Sequence, residues 1–147
     1  MTDPDDIACW QRIDAGLTTS GRLTREDPTR LADLGVKHVI NLALADSPGA
    51  LPDEAAAMAA AQLDYVHIPV PFDTPGEAHF DAFAKAMAKA AGEPVHVHCI
   101  MNWRVSAFVY RWNRLCGMDQ EKARALMHVQ WDPASSEHKD AAAWAAF

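Results

Sequence analysis

Short runs of β-branched and aliphatic residues alternate along this chain with segments that carry helix-forming patterns. The runs are typical of buried strands: “VKHVINLAL”, “DYVHIPVPF” and “EPVHVHC”. Helical patterns precede or follow each of them: “LPDEAAAMAAAQL”, “TPGEAHFDAFAKAMAKAAG” and “NWRVSAFVYRWNRLC”. Because strands joined by helices make right-handed crossovers, this order predicts an α/β fold with a mostly parallel sheet. We expect one domain over residues 1–147, with about four to five central strands flanked by helices.

The remaining segments add shorter elements. “RIDAGLTTSGRL” is typical of a short strand and a turn, and “TREDPTRLADLG” predicts a helix that Thr24 and Asp27 cap and Gly35 ends. Thr74 and Glu77 form a second capping pattern, ahead of the helix that follows “DYVHIPVPF”. We expect two more helices near the end of the sequence, over residues 119–131 and 136–147. No repeat or low-complexity linker divides these elements.

The composition excludes several classes of function. Half of the 147 residues are hydrophobic and the formal net charge is −7, which argues against a nucleic-acid-binding surface. The segment “MTDPDDIACW” lacks the basic and apolar regions of a secretory signal, and no apolar run approaches the roughly 20 residues that span a bilayer. The three cysteines have no paired spacing and do not suggest a disulfide framework. We therefore expect a cytoplasmic protein without nucleic-acid or membrane partners.

One cysteine occupies a position that suits anion chemistry. Cys99 ends the strand “EPVHVHC”, and Arg104 follows five residues later, at the start of the next helix. In a parallel sheet, ligands bind beyond the carboxyl ends of the strands, where Cys99 should lie. If the helix begins near Asn102 or Trp103, its free N–H groups and about half a positive charge face the loop after Cys99. This field favours a nucleophilic thiolate, and the planar guanidinium of Arg104 can hold two phosphate oxygens.

The loop resembles the phosphate loop of the protein tyrosine phosphatase superfamily, whose signature is His-Cys, five residues, Arg, then Ser or Thr. His98 and Cys99 are present, and Ser106 stands seven residues after the cysteine, as in that signature. Arg104 comes one residue earlier than the signature places it, and the intervening “IMNW” has no glycine. The chain is therefore similar to a short-loop bacterial branch, related to the phosphatase domain fused to certain β-lactamase-like hydrolases. The similarity extends over about residues 12–116 and implies a tyrosine-phosphatase-like fold.

The resemblance implies a cysteine-dependent phosphomonoester hydrolase of the tyrosine or dual-specificity type. Cys99 would attack phosphorus and form a phosphocysteine, while Arg104 would bind the equatorial oxygens. Ser106 would assist departure of the thiolate, and His98 would orient the cysteine through hydrogen bonds. The residues that would bind the phosphate are those of the loop and the first helical turn: Ile100, Met101, Asn102, Trp103 and Arg104. The resemblance implies no cofactor and no metal.

A general acid must also protonate the leaving oxygen. Asp73 lies just past the carboxyl end of the strand “DYVHIPV”, on the same rim as Cys99, and its place matches the acid loop of the superfamily. Asp73 could equally be a turn residue ahead of Thr74. Glu77 and Asp81 are weaker candidates because their helix face points to solvent. The expected substrate is a phosphorylated protein or a small phosphomonoester, and the choice between phosphotyrosine and phosphoserine or phosphothreonine stays open.

Three other interpretations remain at this stage. A cysteine at a strand end can be a small core residue. His67, His96, His98 and Cys99 could form a metal cluster, although His96 and His98 alternate along a strand. Rhodanese-type sulfurtransferases also carry a cysteine loop of this kind, and a phosphate-binding module without turnover would need the same residues. Cyanolysis of thiosulfate would identify a sulfurtransferase, and phosphopeptide binding without phosphate release would identify a binding module.

Overall fold

The alternation of strands and helices predicted from the sequence is confirmed by a computed structural model, which describes residues 2–147. The described part holds the following elements in chain order: β1 (Gln11–Asp14), β2 (Leu17–Ser20), α1 (Asp27–Asp33), β3 (His38–Asn41), α2 (Glu54–Ala60), β4 (Asp64–His67), α3 (Glu77–Lys89), β5 (Val95–His98), α4 (Trp103–Leu115), α5 (Gln120–His128) and α6 (Ala141–Ala146).

The strands form one five-stranded sheet in the order β1-β2-β5-β3-β4. β1 pairs antiparallel with β2, whereas β2, β5, β3 and β4 run parallel. The mostly parallel α/β sheet predicted from the sequence is confirmed. Ser20, His98 and Asn41 lie side by side at the same level of β2, β5 and β3. The segments that follow these three residues therefore leave the sheet at one edge, where ligands bind in this class of fold.

Helices cover both faces of the sheet. Val39 of β3 packs in one apolar cluster with Met58 of α2. Ile40, the next residue of the same strand, belongs to a second cluster with Phe83 of α3 and Phe108 of α4. Successive strand residues point to opposite faces, so this alternation places α1 and α2 on one side and α3 and α4 on the other.

The same alternation places the two histidines of β5 on one face of the sheet and the cysteine that follows this strand on the other. Val97 and the following Cys99 belong to the cluster of α3 and α4. His96 stacks on Trp10 at a centroid distance of 5.1 Å, and His98 contacts the α2 side chain Glu54. Among residues 2–147, no group of three or more His, Cys, Asp or Glu side chains is placed to hold a metal ion. None of the helices in this range is both long and apolar enough to cross a membrane.

Helices α1, α3 and α6 begin later than the sequence pattern predicts. The N-cap of α1 is Glu26, so Thr24 lies outside that helix, although its N–H donates to the Asp27 carboxylate at 2.7 Å. The N-cap of α3 is Gly76, whose backbone N–H donates to His79 Nδ1 at 3.1 Å, so Thr74 lies outside the helix. The segment ahead of α6 forms turns, because the Ser136 hydroxyl accepts from the His138 N–H at 3.2 Å and His138 Nδ1 accepts from the Asp140 N–H at 3.1 Å. Such side-chain hydrogen bonds compete with the helical ones and delay the start of a helix.

Candidate active site

The loop between β5 and α4 is held against the end of β2. The N–H of Arg22 donates to the Ile100 carbonyl at 2.9 Å, and the N–H of Cys99 donates to the Ser20 carbonyl at 3.4 Å. Gly21 makes this approach possible, since a Cβ at that position would lie 2.4 Å from the Ile100 oxygen. The cysteine loop therefore has a fixed position at the carboxyl edge of the sheet.

Asn102 supplies the sharp turn that leads from this loop into α4. It is fully buried and adopts the left-handed conformation, with φ 65° and ψ 10°. Asparagine tolerates this conformation better than most residues with a side chain, so a loop without glycine can still make the turn. The Asn102 side-chain amide donates to the Cys9 carbonyl at 2.9 Å and to Thr19 Oγ1 at 3.0 Å. The Asn102 carbonyl accepts the helical hydrogen bond from the N–H of Ser106 at 2.9 Å.

A cavity of about 330 Å³ lies over this loop, and Cys99 and Arg104 both line it. Ile100, Met101 and Trp103 complete the loop side of the cavity. The opposite walls consist of Leu44, Ser47 and Pro48 from the segment after β3, Phe72 from the segment after β4, and His138 from the turns before α6. Two larger cavities, of about 480 and 800 Å³, contain neither Cys99 nor Arg104.

Cys99 is 1% exposed and packs with the apolar cluster of α3 and α4, and it also lines this cavity. Arg104 is 7% exposed and donates one guanidinium N–H to the Val70 carbonyl at 3.0 Å. Its guanidinium carbon lies 6.0 Å from the centre of the Phe72 ring. A guanidinium has five N–H donors, so the hydrogen bond to Val70 holds the side chain in place and leaves most donors for an anion.

The cysteine loop also rests on a buried pair of side chains. His98 Nε2 lies 2.7 Å from Glu54 Oε2, and His98 Nδ1 lies 3.2 Å from the Cys99 carbonyl oxygen. The ring of His98 therefore connects Glu54 of α2 to the backbone of Cys99.

Comparison with known families identifies this arrangement. The sequence profile of the family described as “DSP-PTPase phosphatase fused to NAD+ Kinase” matches residues 3–144. The chain belongs to this family. It is therefore a phosphatase of the tyrosine and dual-specificity superfamily, in the short-loop bacterial branch that the sequence resemblance indicated.

Solved structures share the fold of this phosphatase. A DUF442 phosphatase candidate from Shewanella putrefaciens CN-32 superposes with a TM-score of 0.81 at 30% identity, covering 95% of this chain and 86% of that one. TpbA from P. aeruginosa superposes with a TM-score of 0.74 at 21% identity, covering 99% of this chain and 87% of that one. Tk-PTP gives 0.75 at 16% identity, with 93% of each chain covered. The last two likenesses show the fold alone. A comparison with curated proteins gives no significant match.

The structure brings most of the predicted site residues of the phosphatase together. Cys99, Arg104 and the loop residues Ile100, Met101 and Trp103 line the cavity. Asn102 and His98 lie beneath it, where they hold the loop through the hydrogen bonds described above. The predicted roles of these residues in phosphate binding and catalysis remain predictions.

Ser106 and Asp73 do not line this cavity. The Ser106 hydroxyl donates to the Trp103 carbonyl at 2.8 Å, and the side chain faces a small separate void beside Asn102 and Thr19. Asp73 is exposed next to the wall residue Phe72, and its carboxylate accepts from the Thr74 hydroxyl at 3.3 Å. Ser106 lies two residues after Arg104, whereas the signature places the serine directly after the arginine. Because each residue of a helix rotates a side chain by about 100°, the Ser106 side chain points away from that of Arg104 and from the cavity.

Sequence analysis missed four residues that shape the site of the phosphatase: Gly21, Glu54, Phe72 and His138. Glu54 opens α2 and is an ordinary acidic residue in a first helical turn, so its sequence carries no sign of a buried partner. His138 lies in a segment that the sequence pattern assigned to a helix. Gly21 directly follows a strand, and a glycine at such a position can indicate that another backbone segment approaches closely.

Proposed function

We propose that this phosphatase hydrolyses phosphomonoesters through a phosphocysteine intermediate on Cys99. The observation that carries the proposal is that Cys99, Arg104 and the start of α4 meet at one cavity. The first N–H groups of a helix have no acceptor within it and favour an anion, as does a guanidinium. A phosphate in the cavity would therefore meet donors on one side and a sulfur nucleophile on another.

The reaction has two steps. In the first, the Cys99 thiolate attacks phosphorus, the S–P bond forms, and the bond to the ester oxygen breaks while that oxygen takes a proton. In the second, water attacks phosphorus, the S–P bond breaks, and inorganic phosphate and the thiolate leave. Arg104 and the α4 amides stabilise the charge that the oxygens gain in both transition states. His98 keeps the loop in place, and Ser106 acts on the thiolate only if its hydroxyl leaves the Trp103 carbonyl.

The first step also needs a proton donor for the leaving oxygen. Asp73 is the candidate from the sequence, and it lies beside a wall residue of the cavity. It would have to turn from Thr74 towards the leaving oxygen.

The substrate that we propose is a phosphorylated protein or a small phosphomonoester. A variant of TpbA from P. aeruginosa is known in complex with pTyr, which supports an aromatic phosphate ester as one substrate. Phe72 and Trp103 line the cavity and would contact the faces of an aromatic ring. The three cysteines are free thiols, which supports a reducing compartment such as the cytoplasm. We further propose that residues 1–147 form a single phosphatase-like domain.

Hydrolysis of 4-nitrophenyl phosphate tests the proposal. Wild-type protein should release phosphate and be inhibited by vanadate, and Cys99→Ser should abolish turnover. Arg104→Ala should lower kcat by about 10²–10³-fold, as expected for the loss of a group that stabilises an oxyanion. Cys116→Ser is the matched control, because Cys116 is an exposed thiol just beyond α4 and should be dispensable.

Two outcomes would contradict the proposal. A folded wild-type protein that binds phosphopeptides and never releases phosphate would be a binding module. Turnover of thiosulfate with cyanide, together with a persulfide on Cys99, would indicate the sulfurtransferase. Detection of a phosphate adduct on Cys99 by mass spectrometry after rapid acid quench would support the intermediate directly.

A further inference from the structure

The cavity over Cys99 has one residue that can exchange a proton with a leaving oxygen. Its lining side chains with acid–base chemistry are Cys99, Arg104 and His138. Cys99 is the nucleophile, and a guanidinium stays protonated in proteins. Asp73 does not line the cavity in the described chain. His138 is therefore the group to consider for proton transfer.

The ring of His138 has a defined position. It packs edge to face against Phe72 at a centroid distance of 5.0 Å and against Trp103 at 5.9 Å. Its Nδ1 atom accepts a hydrogen bond from the backbone N–H of Asp140 at 3.1 Å. The side chain is 35% exposed, so the ring lies between the cavity and solvent. Because Nδ1 accepts in this arrangement, Nε2 carries the hydrogen of the neutral ring.

Protonation of His138 at Nδ1 would change its hydrogen bonds. The Asp140 carboxylate lies 4.0 Å from Nδ1 and can accept a hydrogen bond once that nitrogen is protonated, in place of the bond that the Asp140 N–H donates to the neutral ring. A phosphate dianion bound in the cavity would attract the imidazolium, whereas Arg104, which lines the same cavity, would repel it.

We propose that His138 is the general acid of this phosphatase, which rests on the proposed function of Cys99. The imidazolium donates the hydrogen on Nε2 to the ester oxygen while the S–P bond forms and the P–O bond breaks, and His138 becomes neutral. In the second step the neutral ring takes a proton from the attacking water while the S–P bond breaks. The proton balance closes over one turnover, and no other reactant is required.

The dependence of rate on the leaving group tests this role. A general acid matters most for a poor leaving group, such as tyrosine with a phenolic pKa of about 10. It matters little for 4-nitrophenolate, which leaves without a proton. His138→Asn should lower kcat/KM for phenyl phosphate and for a phosphotyrosine peptide by about 10²-fold. The same variant should change kcat/KM for 4-nitrophenyl phosphate by only a few-fold, because no proton has to reach that leaving group.

The choice of asparagine separates catalysis from structure. Asparagine offers an oxygen near the position of Nδ1, so it can still accept from the Asp140 N–H and keep the turn, but it cannot transfer a proton. His138→Gln is the second variant, with a polar group nearer the position of Nε2. If His138 were only structural, the asparagine variant would lose activity equally on all substrates or not at all. Circular dichroism and thermal unfolding verify that both variants are folded.

Two further variants complete the experiment. His128→Gln is the matched control, because His128 pairs with Asp132 and lines a different cavity. Asp73→Asn tests the competing acid with the same substrates. The proposal is overturned if both His138 variants keep the wild-type ratio of rates between phenyl and 4-nitrophenyl phosphate, whatever Asp73→Asn does. That outcome would leave the phosphocysteine mechanism intact, whereas an inert wild-type protein would end both proposals.

Discussion

Glu54 Oε2 lies 2.7 Å from His98 Nε2, with the two side chains 7% and 3% exposed. This contact joins the first residue of α2 to the last residue of β5, directly before Cys99. Burial also raises the pKa of Tyr65 well above its ordinary value, and the neighbouring Glu54 carboxylate adds to that effect. The loop that carries Cys99 is therefore supported by a buried, hydrogen-bonded pair of side chains rather than by apolar packing alone.

Loss of the Glu54 carboxylate should be costly. Glu54→Ala leaves the His98 ring buried without its hydrogen-bond partner, and we expect a loss of about 1–3 kcal/mol in the free energy of unfolding. Glu54→Gln keeps a hydrogen-bond acceptor and should cost less. Urea unfolding followed by tryptophan fluorescence measures both. Glu77→Ala is the control, since Glu77 is also the first residue of its helix but pairs with Arg111 in solvent. Equal losses of stability at the two positions would contradict a supporting role of the buried Glu54–His98 contact.

Gly21→Ala should disturb the cysteine loop. The added Cβ would lie 2.4 Å from the Ile100 oxygen and 3.3 Å from the Ala8 oxygen, and both are backbone atoms. Moving them should cost about 1–3 kcal/mol of stability and reduce phosphatase activity. Gly16→Ala provides the comparison, because the nearest atom there is a side-chain oxygen at 3.8 Å. The prediction fails if the two variants are equally stable and equally active.

Asn102 should tolerate glycine better than alanine. Both substitutions remove the hydrogen bonds to Cys9 and Thr19, but only alanine also meets the steric penalty of a φ near 65°. We expect Asn102→Ala to be less stable than Asn102→Gly by about 1 kcal/mol. At Asn113, inside α4, the order should reverse because glycine weakens a helix. Thermal unfolding of the four variants measures which of alanine and glycine is more stable at each position. If alanine were the more stable at both Asn102 and Asn113, the left-handed conformation of Asn102 would be contradicted.

His96 should make the fold less stable in acid. Burial holds the pKa of His96 well below the ordinary value of 6.5, and the charge on His98 acts in the same direction. The neutral ring accepts from Thr18 and donates to Ser20, each at 2.8 Å. Below about pH 6.5 the unfolded chain binds a proton at this residue and the folded chain does not, so acid favours unfolding. Between pH 7.5 and 5.5 this one group should remove about 1.4 kcal/mol of unfolding free energy.

Urea unfolding at the two pH values measures this effect. His96→Gln is less stable at both pH values, so the quantity compared is the difference between them, which should shrink in the variant. His128→Gln should retain the wild-type difference, since His128 is a partly exposed residue paired with Asp132. An unchanged difference in His96→Gln would show that the pH dependence has another source.

Much of the fold could be predicted because its signals are local. The strand “EPVHVHC” and the helix after it are set by β-branched runs, helix formers and the glycine at 117, and their bounds agree with β5 and α4. The cavity position of Cys99 follows from parallel topology, which places the ends of the central strands together. The same topology, with Arg104 at the start of the next helix, was enough to predict that Cys99 and Arg104 lie at one site.

The rest of the site depends on contacts between distant parts of the chain. Glu54 and His98 are 44 residues apart, and neither segment alone shows that their side chains meet inside the protein. The role of Ser106 was predicted from a signature whose loop is one residue longer. That signature does not show where the Ser106 side chain points in the shorter loop. His138 lies in an apparently helical pattern, but side-chain hydrogen bonds of Ser136 and His138 form turns there instead.

The wall of the cavity that His138 and Phe72 provide depends on α6, because the indole N–H of Trp144 donates to the Phe72 carbonyl at 2.6 Å. A ribosome makes Cys99 and Arg104 before it makes the residues of α6. A nascent chain that still lacks α6 would therefore carry Cys99 in an open pocket, and dephosphorylation would have to await the synthesis and docking of that helix.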